Sequence, residues 1–431
     1  MKIFIKKGNF LNLLKSLLYI LYHMYNLCEV VMDTQKILVV DVGTFQVKAY
    51  WADVKKGHIQ IEREGVVSSV GFKKGEIQDV KALGNAIKQA ISCTEVTGND
   101  TIDHVIIGIS GMQLTSQFAL GSITLPNSHV GKSDIGHVNN AAILMATAED
   151  VEVLHVIPKN YRLDGCICPN VPLGKSGTIL ECECSLITVS KAMLDQLMEA
   201  LKFAEIKADF FVASIFSIHE MISQYLKQAS YLLVNVGAGN MDVIIYEDHK
   251  FVKLYSLPIG GEYITHDIMK GIDLDFDHAE KLKRYFSKLD ADLKGKNIIL
   301  DCSDEKIEDK NVQYDFLYDI IDSRVNEIIN IAYDTISLEL IDRNIENIYF
   351  TGGCSLLYNF SHSLALKFAM QVNPLAIEEL ADVYLDPKDI TGYGLLNYAG
   401  ENLMGEELIV ELDEKKTYQS IFSKLKKVLK L

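Results

Sequence analysis

Three short stretches of this 431-residue chain set glycines beside polar side chains at the ends of apolar runs. The first is Asp41-Val-Gly-Thr44, and the second is Asn235-Val-Gly-Ala-Gly-Asn240 with a further acid at Asp242. The third is Thr351-Gly-Gly-Cys354. Glycines let backbone N–H groups come close to a polyphosphate, and an acid at a strand end can hold the waters of a bound Mg2+. The chemistry this spacing points to is nucleotide binding. Gly43, Thr44, Asn235, Gly237, Ala238, Gly239, Asn240, Gly352 and Gly353 are the candidate phosphate-turn residues, and Asp41 and Asp242 the candidate metal-linked acids. One such turn is ordinary loop punctuation, and Asp242 alone reads equally as a turn residue. Three at wide spacing carry the argument.

These turns need strands to hold them. Residues 37–41 are apolar until the acid and lead through the first turn into a second apolar run at 47–51, a strand, tight turn, strand unit. The same pattern recurs at 232–246, with Asn235 in the place of Asp41 and Gly237 in that of Gly43. A repeat of such long period predicts two similar halves rather than a solenoid. Helical patterns at 80–91 and 191–204 alternate with strands at 104–109 and 186–189, and a helical stretch at 355–360 follows the third turn. The fold class is α/β.

Composition bounds the rest. With 48% hydrophobic residues, 23% charged residues and a net charge of −16, the chain is a large folded protein, and its acidity argues against nucleic acid as a partner. Cys166/Cys168 and Cys182/Cys184 are C-x-C pairs, which lack the usual spacing of structural zinc ligands; Cys182 and Cys184 read as small apolar residues on one face of a strand at 179–189, in a reducing compartment. Residues 1–31 form an extension with a marginal apolar stretch at 10–28, interrupted by Lys15 and preceded by three lysines. It reads as an upstream extension, with a weak membrane anchor as the alternative.

The three turns in this order resemble the actin-like ATPase superfamily, as two phosphate loops and an adenosine loop. Further landmarks resemble the FtsA family of bacterial cell-division proteins: His155-Val-Ile-Pro-Lys-Asn-Tyr161, Pro172-Leu-Gly-Lys-Ser-Gly177, Pro258-Ile-Gly-Gly-Glu262 and Tyr393-Gly-Leu-Leu396. The resemblance spans about residues 36–398. It implies an actin-like (ribonuclease H-like), duplicated two-lobed fold with an FtsA-type subdomain inserted in the first lobe and a C-terminal amphipathic helix. The implied division is an extension at 1–31, a first lobe at 32–102, the insert at 103–188, the rest of the first lobe and a crossover at 189–230, and a second lobe at 231–400 with a small lobe at about 261–330. It also implies ATP and Mg2+ in the cleft, with Glu280 and Lys283 on a helix that holds ribose and adenine. Without the family, those two are solvent-facing charges on an amphipathic helix. The implied role is a scaffold that polymerises and binds the C-terminal peptide of the tubulin-like FtsZ. It would hold FtsZ filaments at the cytoplasmic face of the cell membrane at the division septum and recruit other divisome proteins.

Where this family's second phosphate loop opens with aspartate and reads Gly-Gly-Gly-Thr, this chain has Asn235 and Gly237-Ala-Gly-Asn240. An amide carries no charge for a divalent cation, so the expectation is ATP binding with weak or absent hydrolysis. Residues 401–414 hold six acids, whereas residues 415–431 hold six lysines and no acid. On a helix, Ile421, Phe422, Leu425, Val428 and Leu429 share an apolar stripe flanked by Lys424 and Lys427. That pattern reads as an in-plane anchor on anionic lipid after an acidic linker, or as a docking helix. The alternatives to a division scaffold are an actin-like scaffold of pilus assembly or cell shape, and an ATP-dependent sugar or acid kinase.

Overall fold

The computed structural model describes residues 34–55, 58–96, 100–111, 113–146, 150–286, 297–300, 310–357, 359–375 and 386–403. The N-terminal extension, residues 404–414 of the acidic linker and the basic tail, with Ile421, Phe422, Lys424, Leu425, Lys427, Val428 and Leu429, lie outside the described residues.

The first lobe is a five-stranded sheet. Gln35–Val42 pairs antiparallel with Gln46–Lys55, which pairs antiparallel with His58–Ser68. On its other side Gln35–Val42 pairs in parallel with His104–Ile109, and that strand with Phe210–Ala213. Successive side chains of a strand point to opposite faces, and both faces here are covered. Leu38, Val40 and Val42 pack beneath the helices Val80–Cys93 and Lys191–Phe203. Ile37 and Val39 pack against Leu395, Leu396 and Ala399 of the helix Ile390–Leu403. This explains the unbroken apolar run read in the sequence.

The second lobe repeats the order. Tyr231–Val236, Met241–Glu247 and Lys250–Leu257 form the antiparallel meander, and Tyr231–Val236 pairs in parallel with Asn347–Thr351, which pairs with Gln371–Pro374. Helices Gly261–Ile272, Phe276–Phe286 and Tyr314–Leu340 build its core through Ile264, Ile268, Leu282, Leu317, Ile321 and Val325. A hairpin, Asn297–Leu300 with Lys310–Gln313, lies between the last two.

The insert is a sheet of Thr115–Thr124, Ile179–Ser190, Val151–Leu163 and Cys166–Cys168, with helix Lys132–Ala146 on one face. It joins the edge of the second lobe's sheet through Tyr255 and Thr115. Cys182 and Cys184 are fully buried against this helix, whereas Cys166 is exposed. The strand His104–Ile109, placed in the insert by the sequence division, is a central strand of the first sheet, because its backbone is paired on both sides there. After the third turn the chain forms a short 3-10 helix, Gly353–Leu356, and the α-helix starts only at Phe360. Leu357 is extended and buried in the second lobe's core, which breaks the helical pattern expected at 355–360.

Candidate functional site between the lobes

The two hairpin turns meet across a cleft of about 460 Å3, within the roughly 300–1,000 Å3 typical of ligand pockets. Their backbones are closed by the same bond: Gly43 N–H donates to the Gln46 carbonyl at 3.1 Å, and Gly237 N–H to that of Asn240 at 2.9 Å. Asp41, Gly43, Thr44, Asn235, Gly237, Ala238, Asn240, Glu280, Lys283, Gly352 and Gly353 all line the cleft. Gly239 and Asp242 do not.

The second turn is held by a helix start. Gly261 and Glu262 N–H donate to the Gly237 and Ala238 carbonyls at 2.9 and 2.8 Å. A trans peptide points its N–H opposite its C=O, so these planes aim the N–H groups of Ala238 and Gly239 away from the helix. At the third turn Gly352 adopts φ +89°, and a Cβ there would lie 2.5 Å from both Asn235 Oδ1 and the Val236 carbonyl. Only glycine fits. A Cβ on Gly353 would meet nothing within 4 Å, so this face of the turn is open space.

Asp41 ends the first strand directly opposite Lys48. Burial pushes the Asp41 carboxyl up to about 6, with Lys48 opposing the rise and Asp389 adding to it. The Lys48 ammonium is itself buried and donates to Asp389 Oδ1 at 2.5 Å and the Lys388 carbonyl at 2.7 Å. The Thr44 hydroxyl is buried between the turns without a hydrogen-bond partner, a state costing roughly 1–3 kcal/mol.

On the helix Phe276–Phe286, Lys283 donates to the Gly261 carbonyl at 3.1 Å and Thr265 Oγ1 at 2.8 Å, and pairs with Glu280 at 2.6 Å. Its three N–H donors are thus engaged within the protein. Burial resists ionisation of Glu280, but Lys283, Thr265 and Arg284 hold its carboxyl below the usual range. The Arg284 guanidinium, 3.0 Å from Glu280, lies 4.9 Å over the Phe45 ring of the first lobe.

Asp242 sits behind the second turn with no exposed surface. Ser256 Oγ donates to its Oδ1 at 2.5 Å and Asn240 Nδ2 to its Oδ2 at 2.8 Å, and burial pushes its carboxyl up to about 6. Among the described residues, no group of three or more His, Cys, Asp and Glu forms a metal site.

Phe45, Lys48, Ser110, Arg284, Cys354, Leu356 and Lys388 also line the cleft and were not singled out by sequence. Lys48 left a signal, as a lysine inside the apolar run 47–51, directly across the hairpin from Asp41. Lys388 left none, because it reaches the site from a remote segment.

These features fit a nucleotide: a partnerless hydroxyl between two turns, an open glycine face, and the cations Lys48, Arg284 and Lys388 in the lining. They do not fit a Mg2+ held jointly by Asp41 and Asp242, because Asp41 lines the cleft whereas Asp242 does not and both its oxygens are taken.

Two lobes of identical strand order around such a cleft define an actin-like fold. A solved structure titled "PilM-PilN type IV pilus biogenesis complex" shares it, with TM-score 0.59 and 14% identity, covering 85% of this chain and 99% of that one. The family model described as cell division protein FtsA matches residues 232–394, and the model for the SHS2 domain inserted in FTSA matches residues 111–188. The cell division protein FtsA of Buchnera aphidicola subsp. Acyrthosiphon pisum (strain APS) is 26% identical over 404 residues, covering 90% of this chain and 95% of its own. That of Escherichia coli (strain K12) is 24% identical over 400 residues, covering 88% and 94%. The chain belongs to the FtsA family of cell division proteins.

Proposed function

We propose that this protein is an actin-like scaffold of cell division that binds ATP between its lobes and ties FtsZ filaments to the cytoplasmic face of the cell membrane at the septum. The observation that carries the nucleotide part is the convergence of three separate glycine turns on one cleft. Backbone N–H groups at Ala238 and Gly353 cradle the polyphosphate, the Thr44 hydroxyl donates to a phosphate oxygen, and Glu280 with Arg284 closes the sugar and base end. Lys283 acts one step back, fixing Glu280 and the helix start behind the second turn. Asn235 is neutral where the family's second phosphate loop carries a carboxylate, so charge stabilisation around the transferring phosphate is weaker and turnover is slow. ATP then acts as an assembly ligand, biasing lobe closure by its different affinity for open and closed states.

The basic tail supplies the membrane contact, with Ile421, Phe422, Leu425, Val428 and Leu429 entering anionic lipid beside Lys424 and Lys427. Among the described residues no helix is long and apolar enough to cross a membrane. The FtsZ peptide docks on the small lobe of the second half, and neighbouring copies associate into filaments. Retention of the full-length protein by immobilised FtsZ C-terminal peptide, and sedimentation with anionic vesicles that is lost on truncation at Glu414, test these parts. Failure to bind the peptide would favour a scaffold of another membrane machine. Brisk phosphate release would sink the slow-turnover reading, and Asn235→Asp is expected to raise the rate.

A further inference from the structure

On a chain of net charge −16, cations gather where the insert meets the second lobe. Lys250 Nζ donates to Asn160 Oδ1 at 3.0 Å, which ties the second lobe's meander to the insert strand Val151–Leu163. Glu247, opposite Lys250 in its hairpin, pairs with Arg343. Arg343 also reaches Glu339, which pairs with Lys253 at 2.5 Å. On the insert, Glu183 accepts from Arg162 and from Asn160, each at 2.9 Å. Each acid of this spot is thus engaged by an arginine. Lys159 is not engaged at all. Half-buried, it makes no hydrogen bond or ion pair among the described residues, and burial together with Arg343 and Lys250 lowers its pKa. An ammonium removed from water beside two like charges calls for an anion.

Next to it the insert sheet is apolar and open. Leu120, Glu183 and Asn160 are cross-strand partners in one row, on the face turned away from the helix Lys132–Ala146. Leu120 and Phe118, two residues apart on that face, are both exposed. Their strand, Thr115–Thr124, pairs with the second lobe only at Thr115, so beyond it this edge carries no backbone pairing among the described residues. Unanswered positive charge beside apolar side chains and a free strand edge suits an extended segment that is acidic on one side and apolar on the other.

The chain holds such a segment. In Glu407-Leu-Ile-Val-Glu-Leu-Asp413, an extended backbone sets Leu408, Val410 and Leu412 on one side and Glu407, Glu411 and Asp413 on the other. It is also within reach. The Tyr398 hydroxyl, on the helix Ile390–Leu403, lies 3.2 Å from His155 Nδ1, and His155 shares its strand with Asn160. The strand from His155 to Asn160 covers about 17 Å, and Leu403 lies about 8 Å of helix beyond Tyr398. Residues 404–413, fully extended, span about 33 Å.

We propose that residues 407–413 dock on their own chain where the insert meets the second lobe, with their acids on Lys159 and Lys250 and their apolar side chains over Phe118 and Leu120. The acidic stretch then fixes the point at which the basic tail leaves the body.

The test is zero-length carbodiimide crosslinking of the full-length protein, as an equal mixture of isotope-labelled and unlabelled copies, read by mass spectrometry. The expected products join Lys159 or Lys250 to Glu407, Glu411 or Asp413 within a single isotope composition. Pairs of mixed composition would make a second copy the occupant and overturn the proposal. Products that join 407–413 only to the tail's own lysines, or to other lysines of the body, would overturn it as well. Amide exchange gives a second readout: residues 407–413 are expected to exchange at least about tenfold slower than an unstructured peptide, and peptide-like rates there would contradict docking. Neutralising the segment with Glu407→Gln, Glu411→Gln and Asp413→Asn touches none of the described core, and is expected to bring exchange to within about threefold of the peptide rate. Lys159→Gln, which removes a cation from between two others, is expected to act in the same direction. Slow exchange that survives both sets of substitutions would overturn the charge pairing.

Discussion

The first and second hairpin turns have one backbone and opposite chemistry. Each follows the central strand of its sheet, is closed by a glycine N–H on a carbonyl three residues later, and pairs its first polar residue with a residue seven positions on. In the first turn that pair is Asp41 and Lys48, acid toward the cleft and cation beside it. In the second it is Asn235 and Asp242, amide toward the cleft and acid buried behind. A duplicated fold thus preserves the hydrogen-bonded frame while side-chain charge diverges. The first turn contributes side-chain charge to the site, and the second contributes mainly backbone and the helix start behind it.

Substitutions that attack this contrast rank by size. The largest effect is expected from Gly352→Val, since the third turn rests on the second turn through Asn235 and Val236. A left-handed φ together with overlap on a backbone carbonyl is expected to cost about 3 kcal/mol or more and to abolish nucleotide binding. Urea denaturation reads the first and fluorescent ATP the second.

Acid is next. Burial lowers His155 to about 3 and His219 to about 4 from 6.5. His155 accepts from Ala213 N–H at 3.0 Å and contacts the Tyr398 hydroxyl at 3.2 Å, tying the insert to the first lobe. The unfolded chain binds these protons first. Their contribution is therefore complete above pH 6.5 and is lost as pH falls from 6.5 toward 4. Thermal melts of His155→Phe are expected to show a shallower acid limb than wild type.

The third prediction separates the turns directly. Burial raises Asp242 from 3.8 to about 6, so the folded state keeps a proton that the unfolded state releases. Its contribution declines as pH rises through that window and stays unfavourable at pH 7. Asp242→Asn is expected to stabilise the fold at pH 7 by about 1–3 kcal/mol and to leave ATP affinity unchanged. Asp41→Asn is expected to change ATP affinity. Equal effects on affinity would erase the distinction between the turns.

The smallest effect is at the cleft mouth. Phe45→Ala removes the ring under Arg284, a contact worth about 0.5–1 kcal/mol, and is expected to speed nucleotide release a few-fold in a chase experiment.

The duplication was legible because apolar runs and turn glycines are local signals. The strands Gln35–Val42 and Tyr231–Val236, and most of the cleft-lining glycines, follow from them. What stayed hidden depends on pairing between distant segments. His104–Ile109 read correctly as a strand, yet its sheet is fixed by partners at 35–42 and 210–213. The same holds for Asp242, whose burial depends on Ser256, and for Lys48, whose partner is Asp389. The helix expected at 355–360 failed because burial of Leu357 outweighs local propensity.

Amide hydrogen exchange of the full-length protein with and without ATP tests the shared cradle most directly. The prediction is simultaneous slowing at residues 43–46, 237–240 and 352–354. Slowing at one turn alone, or only at segments remote from the cleft, would contradict it.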